Sequence, residues 1–235
     1  MSKRRSADRS DDAGAVGALR ERLERWLQLF AMELGRGLNR NEAQGLWGEL
    51  WIIRRFLHPA WGAKAVSAWT ASDADEKDFR LGPVSVEAKT TRAGRPRVVR
   101  INGERQLEVP EHSCLLLAVI DVDAHEGGSG ETLPDGVRET RSLFQGSAAI
   151  EFNSRLTRRG YLDDDERLYR TTRYSEQATI WHEVRPDFPR IISRQLPEGV
   201  GGVDYVIVVD SCVAWRLGET SELPIVLAGG LAHEP

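Results

Sequence analysis

Cysteine is nearly absent: Cys114 and Cys212 stand far apart, neither in a CxxC nor any other metal-ligand spacing. That argues against a disulfide framework and suits a reducing compartment. An excess of positive charge is also missing, since 32 Lys and Arg face 36 Asp and Glu, for a formal charge of -4 and a pI of about 5.8. No global field draws such a chain onto polyanions, so any contact with nucleic acid must come from a local patch. The longest apolar run, Cys114 to Ile120, falls far short of the roughly 20 residues that span a bilayer. The opening MSKRRSADRSDD carries no apolar segment behind its basic residues and does not read as a signal peptide. The expectation is a cytoplasmic protein with no membrane contact, whose residues 1–13 form a disordered charged tail.

Several catalytic signatures are missing as well. The five histidines show no HExxH and no pair at zinc spacing, and Ser129 lacks the GxSxG surround of a nucleophile elbow. Gly127-Gly-Ser-Gly has neither the GK[ST] of a phosphate loop nor the third glycine of a dinucleotide fingerprint. Asp163 to Glu166 lacks the alternating ligands, the glycine and the final glutamate of a calcium loop. No repeats or low-complexity tracts occur.

With 40% hydrophobic residues, the chain has enough apolar side chains to bury the core of one large domain, or of one domain plus a lobe. Leu19, Leu23, Trp26, Leu27, Phe30 and Leu34 recur at helical steps over 18–34, ended by Gly35 and Gly37. A second helix is expected over 40–56, capped by Asn39 or Asn41, buried through Leu46, Leu50, Ile53 and Leu57, and terminated at His58-Pro59. Strands are expected over 65–70, 77–81, 84–90 and 97–101 as a meander of antiparallel hairpins, with a helical turn in 103–109. CLLLAVIDVD reads as a central strand covered on both faces, 127–130 as a loop, 140–159 as helix, 168–184 as strand-rich, and 203–209 as a buried strand.

Chemistry concentrates in KDFRLGPVSVEAKT. Alternation along a strand puts Val84, Val86 and Ala88 on one face and Ser85, Glu87 and Lys89 on the other. If Gly82-Pro83 is a two-residue turn, residues whose numbers sum to 165 face each other, which sets Asp78 opposite Glu87. A slip of one residue would turn Asp78 away. Two carboxylates so placed repel unless a cation lies between them. Asp78, Glu87 and the Ala88 carbonyl are the oxygen donors that a hard ion such as Mg²⁺ takes, with Mn²⁺ as substitute. Lys89, on the same face, is placed to orient a water and to stabilise charge on a phosphate. On the second helix, Glu49 falls on or beside the apolar stripe, where a carboxylate is costly unless paired or near a metal.

Glu49 in an amphipathic helix, then Asp78, then Glu87-x-Lys89 on a hairpin resembles the four active-site positions of the PD-(D/E)xK nuclease superfamily. Lys77 replaces the proline before Asp78, a change many members tolerate because the proline supplies no ligand. GLWGELW, KDFRLGPVSVEAKTT, INGERQLEVPE and DFPRIISRQLPEGVGGVDYVIVV together resemble bacterial PD-(D/E)xK proteins associated with restriction and phage-defence gene clusters, over most of the chain.

The resemblance implies an α/β restriction-endonuclease-like fold, a mixed β-sheet flanked by helices with the hairpin near its centre. It divides the chain into a catalytic core over 14–125 and an extension of the same domain over 126–235. It implies a metal-dependent DNA endonuclease in which Asp78 and Glu87 bind Mg²⁺, Glu49 assists the metal or water, and Lys89 positions the nucleophile. Gln106 matches a position near the site in some relatives and is carried as an auxiliary. Cutting both strands of a duplex calls for two sites, so a homodimer is expected. The competing reading is a catalytically degenerate scaffold or DNA-binding subunit that holds a methylase, helicase or ATPase, with the helix of Trp47 and Trp51 as docking face.

Arg92, Arg95, Arg97, Arg100 and Arg105 follow the site strand, and two readings stand even: phosphate contacts or a solvated hairpin face. Arg155, Arg158, Arg159, Arg167, Arg170 and Arg173 are interrupted by Asp163 to Glu166 and read as solvated surface. Trp47 and Trp51, one helical step apart, read as core or partner surface rather than base-stacking groups.

Overall fold

The computed structural model describes residues 37–70, 77–92, 94–218 and 222–229. The tail expected over 1–13 and the helix expected over 18–34 lie outside the described residues.

The first described helix, α1 (Arg40–Ile52), starts where the Asn39 side chain accepts the backbone N–H groups of Asn41 and Glu42, while Glu42 accepts that of Asn39. This reciprocal cap satisfies donors that a helix start leaves open. The helix does not end at His58-Pro59 as expected. It passes through a π-helical turn, Ile53–Leu57, into α2 (His58–Trp61). Pro59 falls in the first turn of this new segment, where its missing N–H costs little, and the chain stops instead at Gly62, whose φ is +57°. Residues 65–70 are not a strand: Lys64–Ala68 forms the short helix α3, and only Trp69 makes a single bridge, to Phe79. A short apolar run does not declare its period, and here burial of Ala65, Val66 and Ala68 favoured a helix.

Strands β1 (Phe79–Leu81) and β2 (Val84–Arg92) form the hairpin in the expected register: Phe79 faces Val86, Arg80 faces Ser85 and Leu81 faces Val84, each pair summing to 165. The meander stops there. β2 pairs in parallel with β4 (Cys114–Glu126), which pairs antiparallel with β5 (Thr172–Glu183), giving a four-stranded sheet in the order β1-β2-β4-β5. The hairpin's β2 is therefore internal while β1 is an edge. β3 (Val98–Asn102) leaves this sheet and pairs antiparallel with β6 (Asp204–Val208) as a separate ribbon.

The 13-residue β4 is covered on both faces, as its unbroken apolar run requires. Leu116, Ala118, Ile120 and Val122 join the core under the helices, and Leu115, Leu117 and Val119 join a second core under the ribbon, with Val99, Ile101 and Ile207. β6 is not the buried strand expected, because as part of an outer ribbon it buries one face only; Val206 is 60% exposed. It does not extend the main sheet, which β5 does. The helix expected over 140–159 is two, α4 (Leu133–Ser142) and α5 (Gly146–Arg158), broken at Leu143 to Gln145. The last described element, α6 (Leu223–Gly229), packs on α2, where the Trp61 indole donates to the Leu227 carbonyl. No described helix is long and apolar enough to cross a membrane.

Trp47 is buried and stacks on Trp51 and Tyr174, at 5.7 and 5.3 Å between ring centroids. The Trp51 indole donates to Thr179. Trp47 thus packs inside the chain and offers no docking face, since its ring is already spent on intramolecular contacts.

Candidate functional site

The site is built where β1 runs out. Opposite Ala88 the antiparallel ladder has no strand residue left to pair, and Asp78 takes its place: its Oδ2 accepts the Ala88 N–H at 2.8 Å. A side chain thus closes the ladder and fixes a carboxylate beside β2.

On β2, Glu87 and Lys89 project from the face that pairs with Leu117 and Val119, under the ribbon. Glu87 is only 2% exposed, and its Oε1 receives the Lys89 ammonium at 2.8 Å. Burial, reinforced by the Asp78 charge and opposed by Lys89, pushes the Glu87 carboxyl up to about 8. Lys89 is pulled down by burial, but the Glu87, Asp78 and Glu49 charges outweigh that and leave it above its ordinary value. It is a permanent cation at neutral pH. Its Nζ also donates to Gln106 Oε1 at 3.0 Å, and the same oxygen accepts the Asn102 N–H at 2.9 Å. Gln106 sits in the turn after β3, and Lys77, buried beside Asp78, donates to the Arg105 carbonyl of that turn.

Glu49 reaches the same cluster from α1. Its approach depends on Gly48, where a Cβ would lie 2.3 Å from Thr90 Cγ2, so the helix rides directly on β2. The Glu49 carboxylate is 4% exposed and engaged at both oxygens: Oε2 accepts the Trp69 indole at 2.7 Å, and Oε1 is paired with Arg159. Burial, offset in part by Arg159 and raised further by Asp78, pushes its carboxyl up to about 7.

The four residues singled out in the sequence thus form one electrostatically linked group, with Gln106 beside Lys89. The arginines divide. Arg92, at the end of β2, and Arg95 are exposed, Arg95 lying 3.8 Å from Asp210. Arg97 is tied down: Nε donates to the buried Asp121 at 2.8 Å and its other contacts go to Asp210. Arg100 pairs with Asp204 at 2.9 Å on the outer face of the ribbon. Arg159 and Trp69 were not foreseen. Arg159 belongs to the charge-mixed stretch read as solvated surface, and only the fold carries it 110 positions back to Glu49. Two cavities lie elsewhere, one at Tyr205 and Val206, the other at Trp51, Phe56 and Leu227.

Two carboxylates with a backbone strand edge between them suit a hard divalent ion that keeps most of its waters. Among the described residues no three Asp, Glu, His or Cys side chains gather as a metal cluster, and Glu49, committed to Arg159 and Trp69, does not complete one.

A family model described as "Putative PD-(D/E)XK family member" matches residues 4–210. The mixed sheet and flanking helices agree with that family's restriction-endonuclease-like fold. No curated protein and no solved structure matches the chain. The chain belongs to the PD-(D/E)XK family.

Proposed function

We propose that this PD-(D/E)XK family member is a metal-dependent endonuclease that hydrolyses DNA phosphodiester bonds. One observation carries the reading: a buried carboxylate and a lysine from one strand, Glu87 and Lys89, meet a second carboxylate, Asp78, held on the neighbouring Ala88 N–H. A fold seldom keeps such charges below its surface without a task for them.

Asp78 and Glu87, with the Ala88 carbonyl, are the residues that would hold Mg²⁺ or Mn²⁺. When bound, such an ion supplies an acidified water and neutralises charge on the phosphate. Lys89, fixed between Glu87 and Gln106, stays protonated, so it serves as a hydrogen-bond donor that orients the water and stabilises negative charge on the phosphate oxygens, not as the base. Arg92 and Arg95, exposed just beyond the site strand, are placed to meet flanking phosphates, whereas Arg97 holds the ribbon to the sheet through Asp121.

The likeness of several segments to bacterial restriction and phage-defence proteins extends the proposal to such a system in the cytoplasm, with a homodimer for double-strand cutting and methylase, helicase or ATPase partners. The engagement of Glu49 by Arg159 and Trp69 favours a second reading, a fold kept for assembly without catalysis. Supercoiled plasmid with Mg²⁺ or Mn²⁺ separates the two. Nicking by the wild type that is lost in Asp78→Asn and in Lys89→Met supports the nuclease; a folded wild type that leaves plasmid intact with either ion supports the scaffold.

A further inference from the structure

Arginines of the ribbon are engaged by carboxylates: Arg97 by Asp121 and Asp210, Arg100 by Asp204. Arg190, on the segment that precedes β6, is half-buried and differs from them. It lies between Phe188 and Ile192, both buried, so the backbone beneath it is pinned on each side. Its Nη1 donates to the Leu107 carbonyl, while its Nε is buried and meets no acceptor. A guanidinium carries five N–H donors, and among the described residues no carboxylate forms an ion pair with this one. Glu108 acts on it only at range and accepts the Ser193 N–H at 2.8 Å. Burial, reinforced by the Arg194 charge and opposed by Tyr205 and Glu108, holds the Arg190 guanidinium below its ordinary value. Keeping a desolvated cation without a counter-ion is costly, and an anion brought to it removes the cost.

Space for that anion lies beside it. Arg190 lines a cavity of about 340 Å³ together with Pro189, Ile191, Tyr205, Val206 and Ser211. The Tyr205 hydroxyl is turned to the Ile191 carbonyl at 3.4 Å, so the wall is apolar apart from the guanidinium and the serine. The cavity adjoins the catalytic group. Leu107, which accepts from Arg190, follows Gln106, which accepts from Lys89 at 3.0 Å. Tyr205 stands within electrostatic range of both Arg190 and Lys89. A charged donor above an apolar wall matches a phosphate joined to its sugar.

We infer that Arg190 and this cavity form a backbone subsite for the nucleic-acid substrate, the guanidinium taking a phosphate and the apolar wall its sugar. The inference rests on the nuclease reading and adds a substrate contact beside that same site. Its signature is ionic, because each phosphate neutralised on a duplex adds about 0.9 to the slope of log K against log salt.

The test is the salt dependence of binding of a fluorescein-labelled DNA duplex by the full chain, followed by anisotropy in Ca²⁺, an ion that takes the same oxygen ligands as Mg²⁺. Arg190→Met is expected to weaken binding on the order of tenfold and to lower the slope by about 0.9. Arg185→Met removes a cation from the same segment that is already paired with Glu183 at 2.8 Å, and it should leave the slope unchanged. Should Arg190→Met not fold, Arg190→Gln keeps an amide donor for the Leu107 carbonyl and should show the same loss of slope. Failure of both variants to fold would make Arg190 a structural residue and overturn the inference. A folded variant at 190 with an unchanged slope, or an equal loss in Arg185→Met, also overturns it while leaving plasmid nicking to decide the nuclease reading. A wild type that binds no DNA overturns both.

Discussion

Asp78 Oδ2 accepts the backbone N–H of Ala88 at 2.8 Å, in the place where the β1 ladder would otherwise supply a carbonyl. The same carboxylate is thus both a strand cap and a charge in the site, and the two roles separate by substitution. Asn keeps an acceptor oxygen for the Ala88 N–H, whereas Ala leaves that donor unmatched at a cost of about 1–3 kcal/mol. Asp78→Asn should keep the wild-type melting temperature and lose Mn²⁺ binding by titration calorimetry. Asp78→Ala should lose both. Equal destabilisation in the two variants would count against the capping role.

Helix α1 contains two glycines with opposite demands. At Gly48 a Cβ would meet Thr90 Cγ2 at 2.3 Å and Ile120 Cδ1 at 3.2 Å, while at Gly45 no atom of the described residues beyond its own helix backbone lies within 4 Å of that position. Gly48→Ala should destabilise by about 1–3 kcal/mol through overpacking and displace Glu49 from Trp69. Gly45→Ala should stabilise by roughly 0.5–1 kcal/mol, since Ala restricts the unfolded chain and favours the helix. Urea melts of the two variants check both signs.

The hairpin and the central strand were legible because their signals are local. Gly82-Pro83 sets the register of its own flanks, and an unbroken run such as CLLLAVI has few fates besides a strand covered on both sides. Glu49 was legible as a carboxylate on an apolar stripe. The ribbon was not, because β3 finds its partner β6 about a hundred residues on, and the apolar residues of β6 gave no sign that one face would meet solvent. Arg159 was hidden for the same reason: among alternating charges nothing marks the cation that the fold brings to Glu49. The break before α5 had its signal in Gly146, with φ +57°, inside a stretch read as continuous.

Gln106 Oε1 joins Lys89 to the turn after β3 by accepting from both Lys89 Nζ and the Asn102 N–H. Gln106→Ala should cost only about 0.5–1.5 kcal/mol of stability, since Asn102 is exposed and can turn to water. In plasmid nicking it should lower kcat with KM little changed, because the ammonium loses a fixed direction but not its charge. A rise in KM alone would assign Gln106 to substrate contact.

Acid dependence follows from the two raised carboxyls. Glu49 moves up to about 7 and Glu87 to about 8, both through burial first. In the unfolded chain these groups ionise from about 4.5, so between that pH and about 8 the unfolded state gives up protons that the folded state retains. The contribution of these two groups to the stability of the metal-free protein is therefore greatest at or below the unfolded value and falls as pH rises through this window. Glu87→Gln should flatten that fall by removing its larger contributor. Mn²⁺ requires the ionised carboxylate, so at pH 7 its binding should release protons and its affinity should rise toward pH 8. Calorimetry in two buffers of different ionisation enthalpy measures the release, and absence of any buffer dependence in the wild type would show that Glu87 is already ionised before the cation arrives.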